Sequence, residues 1–167
     1  IVHRLDGDTS GLMLCAKNDE VGYILQDEIR RRNVDRKYLC LVYGNIASDT
    51  GLIDAPIFRS DKNRTRMQVS DKPQARSSVT TFNVLERFES GLKDNGFTLV
   101  ECKLYSGRTH QIRVHMEYIN HWVVGDQTYG NPGKSSNLGL CRQFLHSYFI
   151  EFQHPCINDT LSFMAPL

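Results

Sequence analysis

The chain has 167 residues, of which 40% are apolar and 23% charged, and its formal net charge is +1. A chain of this size and composition can bury a core without disulfide staples, which excludes the intrinsically disordered class. No stretch approaches the ~18 to 20 consecutive apolar residues of a membrane span, so a soluble cytoplasmic protein is expected. The five cysteines are widely spaced without a CxxC pair, which predicts small buried hydrophobes rather than disulfide or zinc partners.

The first 36 residues predict two strands and one helix. Segment 1–5 is expected to end a strand and enter a turn at Asp6-Gly7, a favoured turn dipeptide. Segment 12–16 is apolar on both faces, which predicts a strand covered on both sides. An amphipathic helix of about four turns is predicted next, with Asp19 near its start and arginines near its end. Its apolar residues are Val21, Ile24, Leu25 and Ile29.

The remainder of the chain predicts mainly strands. A strand at Lys37–Tyr43 is followed by a polar, basic excursion or hairpin over 53–78. Further strands are predicted at 79–85, 97–104 and 144–152, with a polar linker over 90–96 and one helix from about 109 to 120. Since strands outnumber helices without strict alternation, the fold class is α+β, with a mixed, mainly antiparallel sheet in one domain spanning 1–167.

The charge is distributed unevenly although its sum is small. The segments 30–37 and 59–76 together carry +8, so the other 141 residues carry −7. Such an asymmetry is expected of a protein with one face for a polyanion. A solvated helix end and an exposed loop are the alternative interpretation of the two segments.

The densest polar cluster occupies residues 3–11. It places a histidine, an arginine, two carboxylates and two hydroxyls in the sequence His3-Arg4-Leu5-Asp6-Gly7-Asp8-Thr9-Ser10-Gly11. Catalytic side chains are often presented by a loop at a strand end. The local chemistry alone favours the alternative, a turn in which Asp6 or Asp8 caps backbone amides.

A second polar cluster occupies residues 106–115. Thr109 is expected to cap the helix, whose first turn would contain Arg108, His110 and Arg113 as donors for a phosphate or carboxylate. The alternative is a surface pair between Arg113 and Glu117, four residues further on. A metal site formed by histidines of the two clusters is not expected, because the spacing of five between His110 and His115 does not place them on one helix face.

A series of short motifs covers nearly the whole chain. They are His3-Arg4-Leu5-Asp6 with Thr9-Ser10-Gly11, Arg36-Lys37-Tyr38, Gly107-Arg108-Thr109-His110-Gln111-Ile112-Arg113, Gly125-Asp126 with Tyr129-Gly130, and Leu145-His146 with His154-Pro155. In these motifs and their order the chain resembles the RluA-type pseudouridine synthases. The resemblance implies a mixed, mainly antiparallel sheet with a central cleft, and isomerisation of a uridine within RNA to pseudouridine without a cofactor or metal.

The resemblance also implies residue roles. Asp6 matches the catalytic aspartate of the family, Tyr38 the tyrosine that stacks on the target base, and Arg113 the arginine that pairs with the aspartate. Arg4 matches an arginine that can enter the RNA in place of the flipped nucleotide. The other expected substrate-binding residues are Lys37, Arg108 and His110.

These residue types suit the chemistry. The reaction breaks an N–C glycosidic bond, turns the base and forms a C–C bond, so the target must first leave the base stack. An aspartate is a nucleophile only when ionised, which a nearby guanidinium favours. A tyrosine keeps its proton at neutral pH, so it can stack on uracil and still exchange a proton. The sequence leaves open whether the aspartate attacks the base or the sugar.

The expected partner is RNA, with ribosomal RNA favoured over transfer RNA, and the protein is expected to be a monomer. Family members usually have an earlier strand and often a small RNA-binding domain, so the chain is expected to be N-terminally incomplete. The main alternative is a catalytically silent RNA-binding module or ribosome assembly factor on the same fold. A hydrolase that uses Asp6 and Asp8 as paired carboxylates is a further alternative.

Overall fold

The computed structural model describes residues 1–89, 95–130, 138–157 and 159–167. It contains two helices and nine strands within those residues. In chain order they are β1 (Ser10–Gly11), α1 (Asp19–Arg30), β2 (Asp35–Tyr43), β3 (Thr50–Asp54), β4 (Ile57–Arg59), β5 (Met67–Val69), β6 (Val79–Phe88), β7 (Phe97–Leu104), α2 (Gln111–Tyr118), β8 (Leu145–Gln153) and β9 (Thr160–Met164).

Seven of the strands form one sheet. Its order is β1-β8-β2-β7-β6-β3, and β9 pairs with the second half of β8. All pairings are antiparallel except that of β1 with β8. The predicted α+β class with a mixed, mainly antiparallel sheet is therefore confirmed. Strands β4 and β5 form a separate hairpin within the basic segment 53–78, as the sequence predicted.

Helix α1 follows the predicted apolar period with one exception. Asn18 caps its N-terminus by accepting a hydrogen bond from the Val21 amide at 2.9 Å. Leu25 is buried in a cluster with Ile150 of β8, whereas Ile24 is 41% exposed. The apolar face is thus narrower than predicted, and it attaches the helix to one end of the sheet.

The predicted strands at 1–5 and 12–16 are wrong. Of residues 1–16, only Ser10–Gly11 form a strand, which pairs with β8. Gly11 has φ +106°, and after the Leu12 amide donates to the Ser147 carbonyl the chain leaves the sheet. Beyond it, Leu12 and Leu14 pack towards α1 while Met13 is exposed, so this segment is covered on one side only. A run of apolar residues does not reveal that only one side of the segment is buried, because local composition carries no information about which element packs against it.

The prediction for the cysteines is right for two of the five. Cys40 of β2 and Cys102 of β7 are fully buried in the main core, where the sheet packs against Ile112 and Met116 of α2. The exposed cysteines lie outside helices and strands and have free thiols; they are Cys15, Cys141 and Cys156.

Helix α2 begins later than predicted. Its N-cap is His110, in the left-handed region at φ 57°, and no side chain caps it, so Thr109 is not the cap and Arg108 and His110 precede the first turn. Gln111 causes the difference, because its side-chain oxygen accepts hydrogen bonds from the Arg108 amide and the Ser106 hydroxyl and holds the loop in a non-helical path.

The predicted linker and the last strand differ from the other elements. Residues 90–94 of the predicted linker lie outside the described residues, and strand β9 was not predicted. Within the described ranges, neither helix has the length and apolar character needed to cross a membrane.

Candidate active site

A cleft of about 410 Å³ opens beside the sheet between segment 2–9, strand β2 and the loop before α2. Its volume is within the usual range of small-molecule sites. Within the described chain, its lining contains one carboxylate, that of Asp6. The cations that line it are Arg4, Arg30, Arg32, Arg36 and Arg108. A cavity with five arginines and one carboxylate attracts anions.

The loop that carries Asp6 is held by backbone and side-chain hydrogen bonds. The Thr9 amide donates to the Asp6 carbonyl at 3.1 Å, which closes the predicted turn. Gln143 donates from Nε2 to the Gly7 carbonyl at 2.6 Å, and Arg142 donates to the Asp8 carbonyl at 3.0 Å. These contacts fix the backbone from Asp6 to Thr9 and so hold the turn that carries the carboxylate.

Arg113 lies behind Asp6, with its guanidinium shared between two carboxylates. Its Nη1 donates to Asp6 Oδ2 at 3.5 Å, while Nε and Nη2 donate to the two oxygens of Asp126 at 2.6 and 2.9 Å. Burial alone would raise the pKa of Asp126, but hydrogen bonds from Arg113 and from the Tyr129 and Thr128 amides hold it below its ordinary value. The alternative pair with Glu117 does not form, because Glu117 binds Arg66 instead.

Tyr129 connects this ion pair to His110 and to the β4–β5 hairpin. Its ring lies 5.0 Å from the Arg113 guanidinium carbon. Its hydroxyl accepts from the Met67 amide at 2.7 Å and lies 2.8 Å from His110 Nδ1. Burial lowers the pKa of His110 and so favours its neutral ring, which shares one hydrogen bond with the Tyr129 hydroxyl. His110 is thereby turned towards Tyr129 and does not line the cleft.

Strand β2 sends adjacent side chains to opposite faces of the sheet. Arg36 and Tyr38 line the cleft and are 5% and 4% exposed. Lys37 lies on the other face, with Nζ 3.5 Å from Glu101 Oε1 and 5.4 Å from the centre of the Phe149 ring. Burial raises the pKa of Tyr38, so its hydroxyl stays protonated at neutral pH.

The structure brings together most, but not all, of the predicted site residues. Asp6, Tyr38, Arg4 and Arg108 line one cleft, and Arg113 contacts Asp6 from behind. Lys37 and His110 do not reach the cleft lining.

Sequence reasoning placed Arg36 in a basic segment expected to bind RNA phosphates and gave Asp126 and Tyr129 no role beyond a family motif, but it singled out none of the three as a site residue. Strand alternation gives a usable signal for Arg36, since residues two apart share a face with Tyr38.

The described histidines have separate partners. His3 accepts from the Leu14 amide, and His115 lies between Thr80 Oγ1 at 2.9 Å and the Ala55 carbonyl at 3.0 Å. In the described part of the chain, no group of three or more histidine, cysteine, aspartate or glutamate side chains could hold a metal ion.

Comparison with known proteins gives consistent results. The family model described as RNA pseudouridylate synthase matches residues 1–118. A Bacillus subtilis (strain 168) protein named as the uncharacterized RNA pseudouridine synthase YlyB is 46% identical over 167 residues, which are 100% of this chain and 52% of that protein. The ribosomal large subunit pseudouridine synthase C of Pasteurella multocida (strain Pm70) is 38% identical over 170 residues, covering all of this chain and 50% of the relative.

A solved structure matches as well. Human RNA pseudouridylate synthase domain containing 1 superposes with a TM-score of 0.84 at 28% identity, over 99% of this chain and 68% of the human chain. The chain spans about half the length of the curated relatives it matches.

Proposed function

The chain belongs to the RNA pseudouridylate synthase family, and from that premise we propose that the protein isomerises a uridine in RNA to pseudouridine. The observation that supports the proposal is that Asp6 and Tyr38 line the same arginine-rich cleft and that Arg113 donates a hydrogen bond to Asp6. Residues of three motifs on which the sequence resemblance rested thus lie together in space although they are far apart in the chain.

Asp6 is the nucleophile in this proposal. Its carboxylate lies at the cleft with Arg113 behind it, so the guanidinium compensates the charge without blocking the face that meets substrate. Because Asp126 holds the guanidinium through two hydrogen bonds, Arg113 is a positioning residue that orients Asp6.

Tyr38 supplies a protonated aromatic surface beside Asp6. Burial is the main cause of the raised pKa of Tyr38. The negative charge of Asp6 raises it further, which shows that the two side chains are close. A protonated phenol can stack on a flipped uracil and exchange a proton with it. Flipping leaves a gap in the RNA stack, and Arg4, exposed at the cleft, is placed to fill it.

The RNA is held through its phosphates. Arg108 at the cleft and the cations of the β4–β5 hairpin supply positive charge that binds RNA with little dependence on base sequence. Ribosomal RNA is the proposed substrate, supported by the name of the Pasteurella multocida relative, a ribosomal large subunit pseudouridine synthase. The proposal also includes that the protein acts as a monomer in the cytoplasm.

Substitution of Asp6 tests the proposal. RNA labelled with tritium at C5 of uridine should release tritium to water when the wild-type protein acts on it. Asp6→Asn keeps the shape of the side chain and removes the nucleophile, so the release rate should fall by ~1,000-fold or more while RNA binding is retained.

Asp8→Asn is the matched control, because Asp8 lies in the same turn and its backbone, at φ 67°, suits asparagine equally well. This variant should keep near-full activity; equal losses at both positions would show that the two carboxylates act as a pair, as in the paired-carboxylate alternative. Full release by Asp6→Asn would refute the nucleophile. Salt-dependent RNA binding by the wild-type protein without any tritium release would establish the silent RNA-binding module.

A further inference from the structure

Arg36 is a buried cation without a counterion among the described residues. Its side chain is 5% exposed and lines the cleft, yet its Nε has no hydrogen-bond partner among the described residues. The one carboxylate lining the cleft, Asp6, is bound to Arg113. Lys37, beside Arg36 in the chain, has Glu101 as its partner on the other face of the sheet.

An uncompensated buried charge is costly. Removing a guanidinium from water lowers stability unless a negative group or several acceptors replace the lost hydration. The described protein residues give Arg36 neither a negative group nor a set of acceptors. The unfavourable free energy of burying its charge is therefore offset only when a ligand brings an anion.

His3 adds a second unsatisfied donor on the same side of the cleft. Its Nε2 accepts from the Leu14 amide at 3.0 Å, so the proton of the neutral ring is on Nδ1. Burial, reinforced by the charge of Arg36, lowers the pKa of His3 to about 4, which keeps the ring neutral at neutral pH. Nδ1 is buried and makes no hydrogen bond of standard geometry with the described residues, while a weaker contact with the Arg4 backbone opposes part of the fall in the His3 pKa.

The guanidinium of Arg36 borders the cleft at a defined place. Arg36 Nη1 lies against the loop before α2, where a Cβ at Gly107 would be 3.3 Å away. Arg36 and Tyr38 lie two residues apart on one face of β2, which is about 7 Å along a strand. A single nucleotide can span that separation with its base at Tyr38 and its phosphate at Arg36.

We propose that Arg36, with His3 Nδ1–H beside it, binds one phosphodiester of the RNA directly adjacent to the nucleotide held at Asp6 and Tyr38. The proposal rests on the proposed function and assigns the anion subsite of the same cleft. Arg36 donates to the non-bridging oxygens of the phosphate, and the phosphate supplies the missing counterion. The subsite therefore couples insertion of the target nucleotide to relief of a buried charge.

The test combines a protein variant with a neutral RNA linkage. Binding is measured by fluorescence anisotropy in the Asp6→Asn background, so that uridine is not converted during the measurement. The probes are a short fluorescein-labelled RNA with one uridine and the same RNA carrying a methylphosphonate on the 5′ or the 3′ side of that uridine. The proteins compared are the background itself and its Arg36→Met, Arg36→Lys and Lys103→Met derivatives.

Arg36→Met should weaken binding of the unmodified RNA by about 10- to 100-fold, the usual loss for a hydrogen bond to a charged group. One methylphosphonate position should weaken binding to the background protein by a similar factor and have little further effect on Arg36→Met. Arg36→Lys should retain part of the affinity, because the charge remains but the planar fork is lost.

Lys103→Met is the control for loss of one positive charge, since Lys103 pairs with Asp35 away from the cleft lining. It should change affinity by less than about twofold, in line with the small contribution of exposed ion pairs. In urea, Arg36→Met should unfold at the same or a higher concentration than the background protein, whereas a structural role for Arg36 would lower it.

Three results would overturn the proposal. They are an unchanged affinity in Arg36→Met, equal effects of the methylphosphonates on both proteins, and no effect of either methylphosphonate on the background protein. The last comparison needs no Arg36 variant, so it decides the matter even if Arg36→Met fails to fold. Tritium release by the wild-type protein keeps the two proposals separate: release without linkage coupling removes the subsite alone, and absence of both release and binding removes the proposed function with it.

Discussion

Two arginines of the cleft region are buried to the same extent but have opposite surroundings. Arg113 is 4% exposed and Arg36 is 5% exposed. Arg113 has Asp126 on two of its nitrogens, Asp6 on the third and the Tyr129 ring 5.0 Å away. Arg36 has no partner for its Nε and no carboxylate of its own in the described chain.

The difference in partners distinguishes an arginine that positions the site, Arg113, from an arginine that is available to bind a ligand, Arg36. The charge of Arg113 is compensated before substrate arrives, so its position is set by the fold. The charge of Arg36 is not compensated, so the free protein bears a cost that binding can remove. Burial alone therefore does not distinguish a structural arginine from a binding one; the partners do.

The largest effect is expected from removing Arg113. Arg113→Met leaves Asp126, whose side chain is fully buried, without its counterion, and the free energy of unfolding should fall by about 3–5 kcal/mol. Urea unfolding measures this. Arg36→Met, with the same burial and the same loss of charge, should cost nothing.

The double variant Arg113→Met/Asp126→Asn should recover part of the lost stability. The asparagine oxygen can still accept from the Thr128 and Tyr129 amides, which lie 2.8 and 2.9 Å from Asp126 Oδ1, and no buried charge remains. Equal losses in the single variants at 113 and 36 would remove the distinction between the two arginines.

A smaller effect is expected from His3, on the Arg36 side of the cleft. Burial and the charge of Arg36 hold the pKa of His3 at about 4 in the folded protein, against about 6.5 in the unfolded chain. Between these values only the unfolded chain binds the proton, so the free energy of unfolding falls as the pH drops from about 6.5 to about 4. Below about pH 4 this contribution to the slope ends.

His3→Gln should reduce that slope while its amide oxygen remains available to the Leu14 amide. The measurement is the difference between the parent and variant stability curves, because His110 and His115 also have lowered pKa values and add to the parent slope. Parallel curves for the two proteins would show that His3 is not held neutral beside Arg36.

The smallest effect on RNA affinity is expected from substituting Lys37. Comparison with Arg36 tests whether the two faces of β2 differ in RNA binding. Lys37→Met should change RNA affinity by less than about twofold, because its side chain pairs with Glu101 away from the cleft lining. In a plot of log affinity against log salt, Arg36→Met should reduce the slope by about 0.7, the contribution of one phosphate contact in single strands, and Lys37→Met should not. A larger loss for Lys37 would restore the sequence-based prediction.

Much of the fold follows from local patterns. The alternation in β2, β6, β7 and β8 and the helical period of α1 predict these elements because each must place its apolar residues on one buried side. The prediction of a strand at 12–16 was wrong because a run of apolar residues does not indicate which of its sides is covered by the rest of the protein. Helix α2 begins later than predicted because the Gln111 side chain holds the preceding loop, a contact that a capping rule based on Thr109 does not contain.

The sequence by itself determined the fold class, the Asp6 turn, the membership of Asp6, Tyr38 and Arg113 in family motifs, and the uneven distribution of positive charge. These features depend on residue type, local spacing and order along the chain. Only the tertiary structure decided that Arg113 binds Asp126 rather than Glu117, and that Arg36 rather than Lys37 enters the cleft. The reason is physical: the partner of a charged group is set by packing of segments distant in sequence, and the cost of leaving it unpaired depends on its burial.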